Sequence, residues 1–120
     1  MTVSLQHVTF DSANAAELAG FWSEVLEQPV DDGASEYFAT IGLRGPAPLR
    51  PAWMFIKVPE GKTAKNRMHI DLGTDDLEAD IARVVDLGAK HVGDFAEFGT
   101  RWASFRDPEG NEFDIGTAME

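Results

Sequence analysis

His7-Val8-Thr9-Phe10 and His69-Ile70-Asp71-Leu72 are two versions of one pattern, and they stand 62 residues apart in a chain of 120 residues. Each begins with a histidine, places apolar residues at its second and fourth positions, and is followed by a helical pattern. A repeated unit that cannot bury its apolar face alone must bury it against its twin. This internal repeat therefore decides the fold.

The composition fits one compact domain over residues 1–120, because 43% of the residues are apolar and no segment is of low complexity. Twenty-one acidic residues against ten basic ones give a net charge of -11, which repels nucleic-acid phosphates and anionic membranes. The absence of cysteine excludes disulfides and thiolate chemistry. No apolar run approaches the roughly 20 residues of a membrane span. We expect a cytoplasmic protein with neither nucleic-acid nor membrane partners.

The first repeat, about residues 1–58, has the pattern of a strand, a helix and further strands. Alternation predicts a strand over residues 3–10. Asn14, with Glu17 three residues later, forms a variant of the capping box that begins a helix ending near Gln28-Pro29. Strand patterns follow at 37–41 and 53–58, with a further short strand around Val30 left open.

A polar linker, 59–66, leads to the second repeat, about residues 67–120. A strand is predicted over 67–72, and Asp75 with Glu78 is predicted to cap a helix that ends at Gly88. Val92 occupies the place that Val30 has in the first repeat. The last predicted feature is a hairpin of strands 102–105 and 112–115, joined by the turn Asp107-Pro108-Glu109-Gly110.

Strand alternation predicts which polar side chains share one face of the sheet, because successive side chains of a strand point to opposite faces. If the apolar residues of the predicted strands pack on the helices, then His7, His69, Glu112 and Asp114 point to the other face. That face is either open to water or curled into a cup. Curling would bring His7 and His69 together if a pseudo-twofold axis relates the two repeats.

The chain resembles the vicinal oxygen chelate superfamily, more narrowly its glyoxalase-like (glyoxalase/bleomycin resistance/dioxygenase) domain proteins. The features that carry the resemblance are the repeat, Asn66-Arg67-Met68-His69-Ile70-Asp71, and Asp107-Pro108-Glu109-Gly110-Asn111-Glu112-Phe113. It covers essentially the whole chain and implies an α+β fold. In that fold two βαβββ repeats form a curled mixed sheet of about eight strands with helices on the outer face.

The resemblance also implies a metal site, whose ligands in this sequence are His7, His69 and Glu112. The family's fourth ligand position falls on Met54, where no carboxylate stands. Two histidines and one glutamate leave positions open for substrate or water and suit Fe(II), with Mn(II), Ni(II) or Zn(II) as alternatives. Ligand positions that have lost their metal are the competing interpretation.

Two functions fit this sequence. The first is a small divalent-metal-dependent enzyme acting on a small oxygen-chelating substrate. In it, Arg67 would pair with a substrate carboxylate or phosphate, and Tyr37, the only tyrosine, is a candidate proton donor. The alternative is a metal-free protein of the bleomycin resistance type that sequesters a cationic aromatic drug between tryptophans, which the charge of -11 favours.

We also expect a homodimer, because unpaired edges of a half-open sheet invite pairing with a second chain. Relatives close their cups through homodimers, some of them by exchanging repeats. In an exchanged dimer, His7 of one chain would meet His69 and Glu112 of the other.

Overall fold

The computed structural model describes residues 2–118. These fall into two compact units, unit 1 up to Gly61 and unit 2 from Lys62 onward. Unit 1 contains β1 (His7–Ser12), α1 (Ala15–Leu26), β2 (Phe38–Ile41) and β3 (Ala52–Lys57). Unit 2 contains β4 (Ile70–Gly73), α2 (Leu77–Leu87), β5 (Lys90–Glu97), β6 (Thr100–Arg106) and β7 (Glu112–Ala118). The α+β fold expected from the sequence is confirmed.

Unit 1 is a three-stranded sheet with α1 packed against one face. The strand order is β1-β3-β2, with β1 parallel to β3 and β2 antiparallel to it. As predicted, Asn14 caps α1, its side chain accepting the Glu17 N–H at 3.1 Å. Phe10 of β1 contacts fully buried Trp22 of α1, with ring centroids 5.7 Å apart. The apolar side of β1 therefore faces the helix.

Unit 2 is a four-stranded sheet in the order β4-β7-β6-β5, and α2 packs on one of its faces. β4 and β7 run parallel, while β7, β6 and β5 are antiparallel neighbours. Phe105 and Phe113 are fully buried and stack with centroids 5.2 Å apart. The burial of these two aromatic rings and of the apolar side of α2 supplies the main hydrophobic stabilisation of this unit.

The strand count agrees with the expected number of about eight. Within residues 2–118 the structure has seven strands, and the eighth position is a single bridge between Val30 and Ile41. Their hydrogen bonds group the strands into two sheets, one in each unit, rather than one continuous sheet. Val30 takes the place that β5 has in unit 2, because it lies beside β2, the last strand of the order β1-β3-β2.

Two local predictions for unit 2 need correction. Asp76, not Asp75, caps α2, its side chain accepting the Ala79 N–H at 3.1 Å. Thr74 Oγ1 accepts the Asp76 N–H at 2.9 Å, which fixes the start of the helix one residue later. The first strand of unit 2 is β4, Ile70–Gly73, and not residues 67–72, so that His69 lies just before it.

In the part of the chain from residue 2 to 118, neither helix has the length and hydropathy that crossing a membrane requires.

Candidate functional site

The face of the unit 2 sheet opposite α2 carries the polar side chains that strand alternation predicts. Phe113 and Ile115 are buried, whereas Glu112 and Asp114, which alternate with them, are only half-buried. Ile70 pairs with Phe113 and Asp71 with Asp114. Since β4 and β7 are parallel, the same register places His69 beside Glu112. The backbone of unit 2 alone therefore aligns two of the three predicted metal ligands.

The turn between β6 and β7 fixes the position of Glu112 along the sheet. The buried Asp107 side chain accepts the N–H groups of Glu109 and Asn111, both at 2.9 Å. The Gly110 N–H donates to the Asp107 carbonyl at 2.8 Å, and Gly110 has φ +90°. This left-handed conformation is one that glycine adopts without the penalty of a Cβ. Arg106 and Glu112 then face each other as the first pair of the hairpin.

A cavity of about 590 Å³ lies on this face, within the size range of small-molecule sites. Three parts of unit 2 line it: the segment 62–65, the polar face of the sheet, and the turn at Glu109 and Gly110. Its charged and titratable lining residues are Lys62, Lys65, His69, Arg106, Glu109, Glu112 and Asp114. All of them belong to unit 2, so this cavity is a property of that unit alone.

His69 is held on the cavity wall by carboxylates. Its Nδ1 lies 3.0 Å from Asp71 Oδ1 and 4.0 Å from Asp114 Oδ2. Ser104 Oγ donates to Asp114 at 2.7 Å. One ligand atom from each of His69, Asp71 and Asp114 lies within 4.8 Å of the others. Because an ionised carboxylate can only accept, this contact is a hydrogen bond when Nδ1 carries the proton, and the ring then offers Nε2 as its ligand atom.

Both oxygens of Glu112 are engaged by the segment that precedes β4. Lys62 Nζ donates to Oε2 and the Asn66 N–H donates to Oε1, each at 3.1 Å. Partial burial raises the pKa of Glu112, but the Asn66 N–H and the Lys62 ammonium outweigh it and hold the pKa below its ordinary value. Glu112 is therefore an anion at neutral pH, with a cation already beside it.

The remaining predicted site residues lie elsewhere. His7, the first residue of β1, is exposed and belongs to unit 1. Tyr37 is 64% exposed in unit 1, with Lys57 Nζ 5.0 Å above its ring. Arg67 is exposed and is not among the described residues that line the cavity of unit 2. These roles for His7, Tyr37 and Arg67 stay predictions.

Sequence reasoning missed the part that the segment 62–66 plays at this site. The polar, aperiodic composition of 59–66 indicated a linker, yet Lys62 and Asn66 both bind Glu112, and the Asn66 side chain also donates to Asn111 at 2.9 Å. The only signal available was the positive charge of Lys62 and Lys65 in an acidic chain. The charge alone does not reveal that the partner of Lys62 is Glu112, which lies about 50 residues away in sequence.

Comparison with known proteins agrees with this architecture. The family model of a glyoxalase-like domain matches residues 7–116. A glyoxalase/bleomycin resistance protein/dioxygenase family enzyme from Burkholderia phytofirmans PsJN is 14% identical, with a TM-score of 0.77, over 98% of this chain and 100% of its own. The fosfomycin resistance protein FosX from Listeria monocytogenes is 13% identical, with a TM-score of 0.75, over 99% and 96%.

A third similar structure, the oxidase ChaP-H2, is 20% identical, with a TM-score of 0.69, over 98% of this chain and 94% of its own. No curated protein matches the sequence. At these identities the three structures establish the fold and leave the reaction open, because one fold can host unrelated chemistries.

Proposed function

The chain belongs to the glyoxalase-like domain family, and from this membership we propose that it is a small divalent-metal-dependent enzyme of the vicinal oxygen chelate type. Its substrate would be a small molecule that offers oxygen atoms to the ion, which would be Fe, Mn, Ni or Zn. The observation that carries the proposal is His69, held by Asp71 at 3.0 Å on the wall of a cavity of small-molecule size.

The donor chemistry in unit 2 fits a divalent cation. A histidine that donates Nδ1–H to a carboxylate presents Nε2 in the orientation and tautomer that metal ligation requires. The lowered pKa of Glu112, in which the Asn66 and Lys62 hydrogen bonds outweigh burial, keeps that carboxylate ionised and able to bind a cation. We propose His69 and Glu112 as ligands. His7 of unit 1 stays the predicted third ligand, from its matching place in the repeat.

When bound, the ion would act as a Lewis acid that polarises a substrate oxygen. The chain's own contribution is positioning. Asp71 fixes the His69 ring, and Ser104 holds the Asp114 carboxylate in place at 2.7 Å. The cavity encloses a small substrate against these groups, so that its reacting atoms meet a preorganised polar surface. Tyr37 as proton donor and Arg67 as substrate anchor remain part of the proposal.

Metal analysis tests this proposal directly. We expect protein purified without chelator to carry close to one divalent ion per chain, measured by plasma mass spectrometry. His69→Ala should weaken the calorimetric affinity for Mn(II), Ni(II) or Zn(II) by about 100-fold. His91→Ala is the matched control, because His91 pairs with Asp94 and lies outside the cavity. Equal affinities in the two variants would reject the proposed role of His69.

Lys62 provides a second test, because its ammonium competes with a metal ion for Glu112. Two like charges a few ångströms apart repel each other even at a protein surface. Lys62→Gln should therefore tighten divalent-metal binding by roughly tenfold in the same calorimetric titration. Lys90→Gln removes a charge from outside the cavity lining and should leave the affinity unchanged. If Lys62→Gln weakens binding instead, Glu112 is not a ligand.

The alternative function, metal-free sequestration of a cationic aromatic drug, is favoured by the charge of -11 and by one aromatic pair. Phe95 is 47% exposed and stacks on Trp102 with centroids 5.3 Å apart, which offers a surface for a planar cation. Tight binding of bleomycin to metal-stripped protein, with no divalent ion bound under any condition, would establish this function and reject the enzyme. A cytoplasmic location and a homodimer belong to both proposals.

A further inference from the structure

We propose that the cavity of unit 2 binds an anionic group of its ligand, a carboxylate or a phosphate or phosphonate, through Lys65 and Arg106. The inference rests on the proposed function only in taking this cavity as the substrate site. Nothing in the sequence pairs Lys65 with Arg106, because they are 41 positions apart and lie in a loop and a strand.

The cavity differs from the rest of the chain in charge. The whole sequence has about two acidic residues for each basic one, 21 against 10. The cavity lining has three of each: Lys62, Lys65 and Arg106 against Glu109, Glu112 and Asp114. The lining is therefore balanced in formal charge, unlike the acidic chain as a whole. A small anion is repelled less at this concave surface than over the acidic parts of the protein.

Two of the three cationic side chains of the cavity lining have no carboxylate partner among residues 2–118. Lys62 is committed to Glu112 at 3.1 Å and to the Ala64 carbonyl. Lys65 donates only to the Asn66 carbonyl, at 3.5 Å, and within residues 2–118 neither Lys65 nor Arg106 forms an ion pair. Arg106 faces Glu112 across the hairpin, yet Glu112 is paired with Lys62 instead.

Two of the carboxylates in the wall, in contrast, already have donors. Asp114 accepts the Ser104 hydroxyl, and Glu112 accepts Lys62 and the Asn66 N–H. Their negative charge is thus partly compensated within the protein, whereas that of Lys65 and Arg106 is left for a ligand. Thr63 also lines the cavity, and its hydroxyl is a possible further donor.

The residue types define the ligand's chemistry. Arginine presents a planar fork of N–H donors that matches two oxygens of a carboxylate or phosphate, and lysine adds a compact point charge. One arginine with one lysine suits a single anionic group with two or three terminal oxygens. A long polyanion does not fit, since the net charge of -11 outside the cavity repels it.

The test is calorimetric titration of metal-stripped protein with methylphosphonate and, separately, with malonate, at constant ionic strength. We expect one saturable site. Lys65→Gln and Arg106→Gln should each lower the affinity for the preferred anion by about tenfold, and the double variant should abolish binding. Lys65→Arg keeps the charge and should bind within about threefold of the parent, which separates loss of charge from loss of fold.

Arg44→Gln is the matched control, because Arg44 is an exposed arginine of unit 1 whose side chain forms no ion pair among the described residues. An equal loss in Arg44→Gln would mean that the anion responds only to net charge and would overturn the proposal. So would the absence of saturable binding of either probe. A preference for methylphosphonate assigns a phosphonate or phosphate group, and a preference for malonate assigns a carboxylate.

The same titrations separate this inference from the proposed function. His91→Ala, which replaces a histidine outside the cavity, should leave anion affinity unchanged in metal-stripped protein. If the anion binds only after Mn(II) is added and is lost in His69→Ala, the ion holds it and the role of Lys65 and Arg106 is overturned, while the metal proposal stands. If the anion binds as expected but no metal does, the anion site is supported and the metal-dependent enzyme fails.

Discussion

At the scale of the residue, Asp31 organises the loops of unit 1. Its Oδ2 accepts three hydrogen bonds: from Thr40 Oγ1 at 2.7 Å, the Leu43 N–H at 2.9 Å and the Arg44 N–H at 3.1 Å. Partial burial raises the pKa of Asp31, but these hydrogen bonds outweigh it and keep the pKa below its ordinary value. One ionised carboxylate therefore secures the chain on both sides of Gly42.

We predict that Asp31→Ala lowers the free energy of unfolding by about 2 kcal/mol at pH 7, because three donors lose a charged acceptor. A carboxyl whose pKa is lower in the folded state stabilises above its unfolded pKa, near 3.9 for aspartate, and loses that contribution as pH falls through the folded pKa. The difference between parent and variant should thus shrink below about pH 4, as measured by urea denaturation.

Asp32→Ala is the matched control for this prediction. Asp32 is exposed and has no hydrogen-bond or ion-pair partner among residues 2–118, so its replacement should change stability by less than about 0.5 kcal/mol. A stability difference for Asp31→Ala that is constant from pH 7 to pH 3 would show that the charge of Asp31 does not act as inferred.

At the scale of the element, the β6–β7 hairpin holds the polar face of unit 2 in register. Its turn combines a buried aspartate, Asp107, that accepts two backbone N–H groups with a glycine, Gly110, at φ +90°. A Cβ at Gly110 would lie 3.6 Å from Lys62 Cδ, an ordinary contact. Conformational strain, not lack of space, is what requires glycine there.

Gly110→Ala should therefore destabilise the protein by about 1–2 kcal/mol, the cost of a left-handed conformation for a residue with a Cβ. Gly61→Ala is the control, since a Cβ there meets nothing within 4 Å and its φ is not positive. That variant should be neutral or slightly more stable. Thermal unfolding of both variants measures the contrast, and equal melting temperatures would contradict the strain argument.

At the scale of the whole molecule, the edge strands of each sheet pair on one side only within residues 2–118, apart from the Val30–Ile41 bridge beside β2. In unit 2 these are β4 and β5, and every residue of β5 except Gly93 is exposed. Free N–H and C=O groups along a strand edge favour pairing with another strand. This feature supports the homodimer expected from the sequence.

Sedimentation velocity at micromolar concentration should give a species of twice the 13.1 kDa chain mass. Dilution to nanomolar concentration should dissociate it if the interface is of modest size. A single 13.1 kDa species at 50 μM would rule out the homodimer. If the dimer exchanges repeats, dissociation should also release the bound metal.

The sequence by itself determined the features that depend on short-range rules. The alternation that separates Phe113 from Glu112 and the turn before β7 both follow from strand period and turn chemistry within a few residues. Each of these was predicted and is present. Even here, the cap of α2 was misplaced by one residue, because aspartates stand at both 75 and 76 and only Thr74 distinguishes them.

Only the tertiary structure decided which distant groups meet. The pairing of Lys62 with Glu112, the carboxylates around His69, and the cavity that leaves Lys65 and Arg106 without anions depend on the path of the chain between them. Composition counts charges but does not assign partners, because an ion pair forms wherever folding brings two side chains within a few ångströms. The polar face of unit 2 could be predicted from strand alternation, and its electrostatics could not.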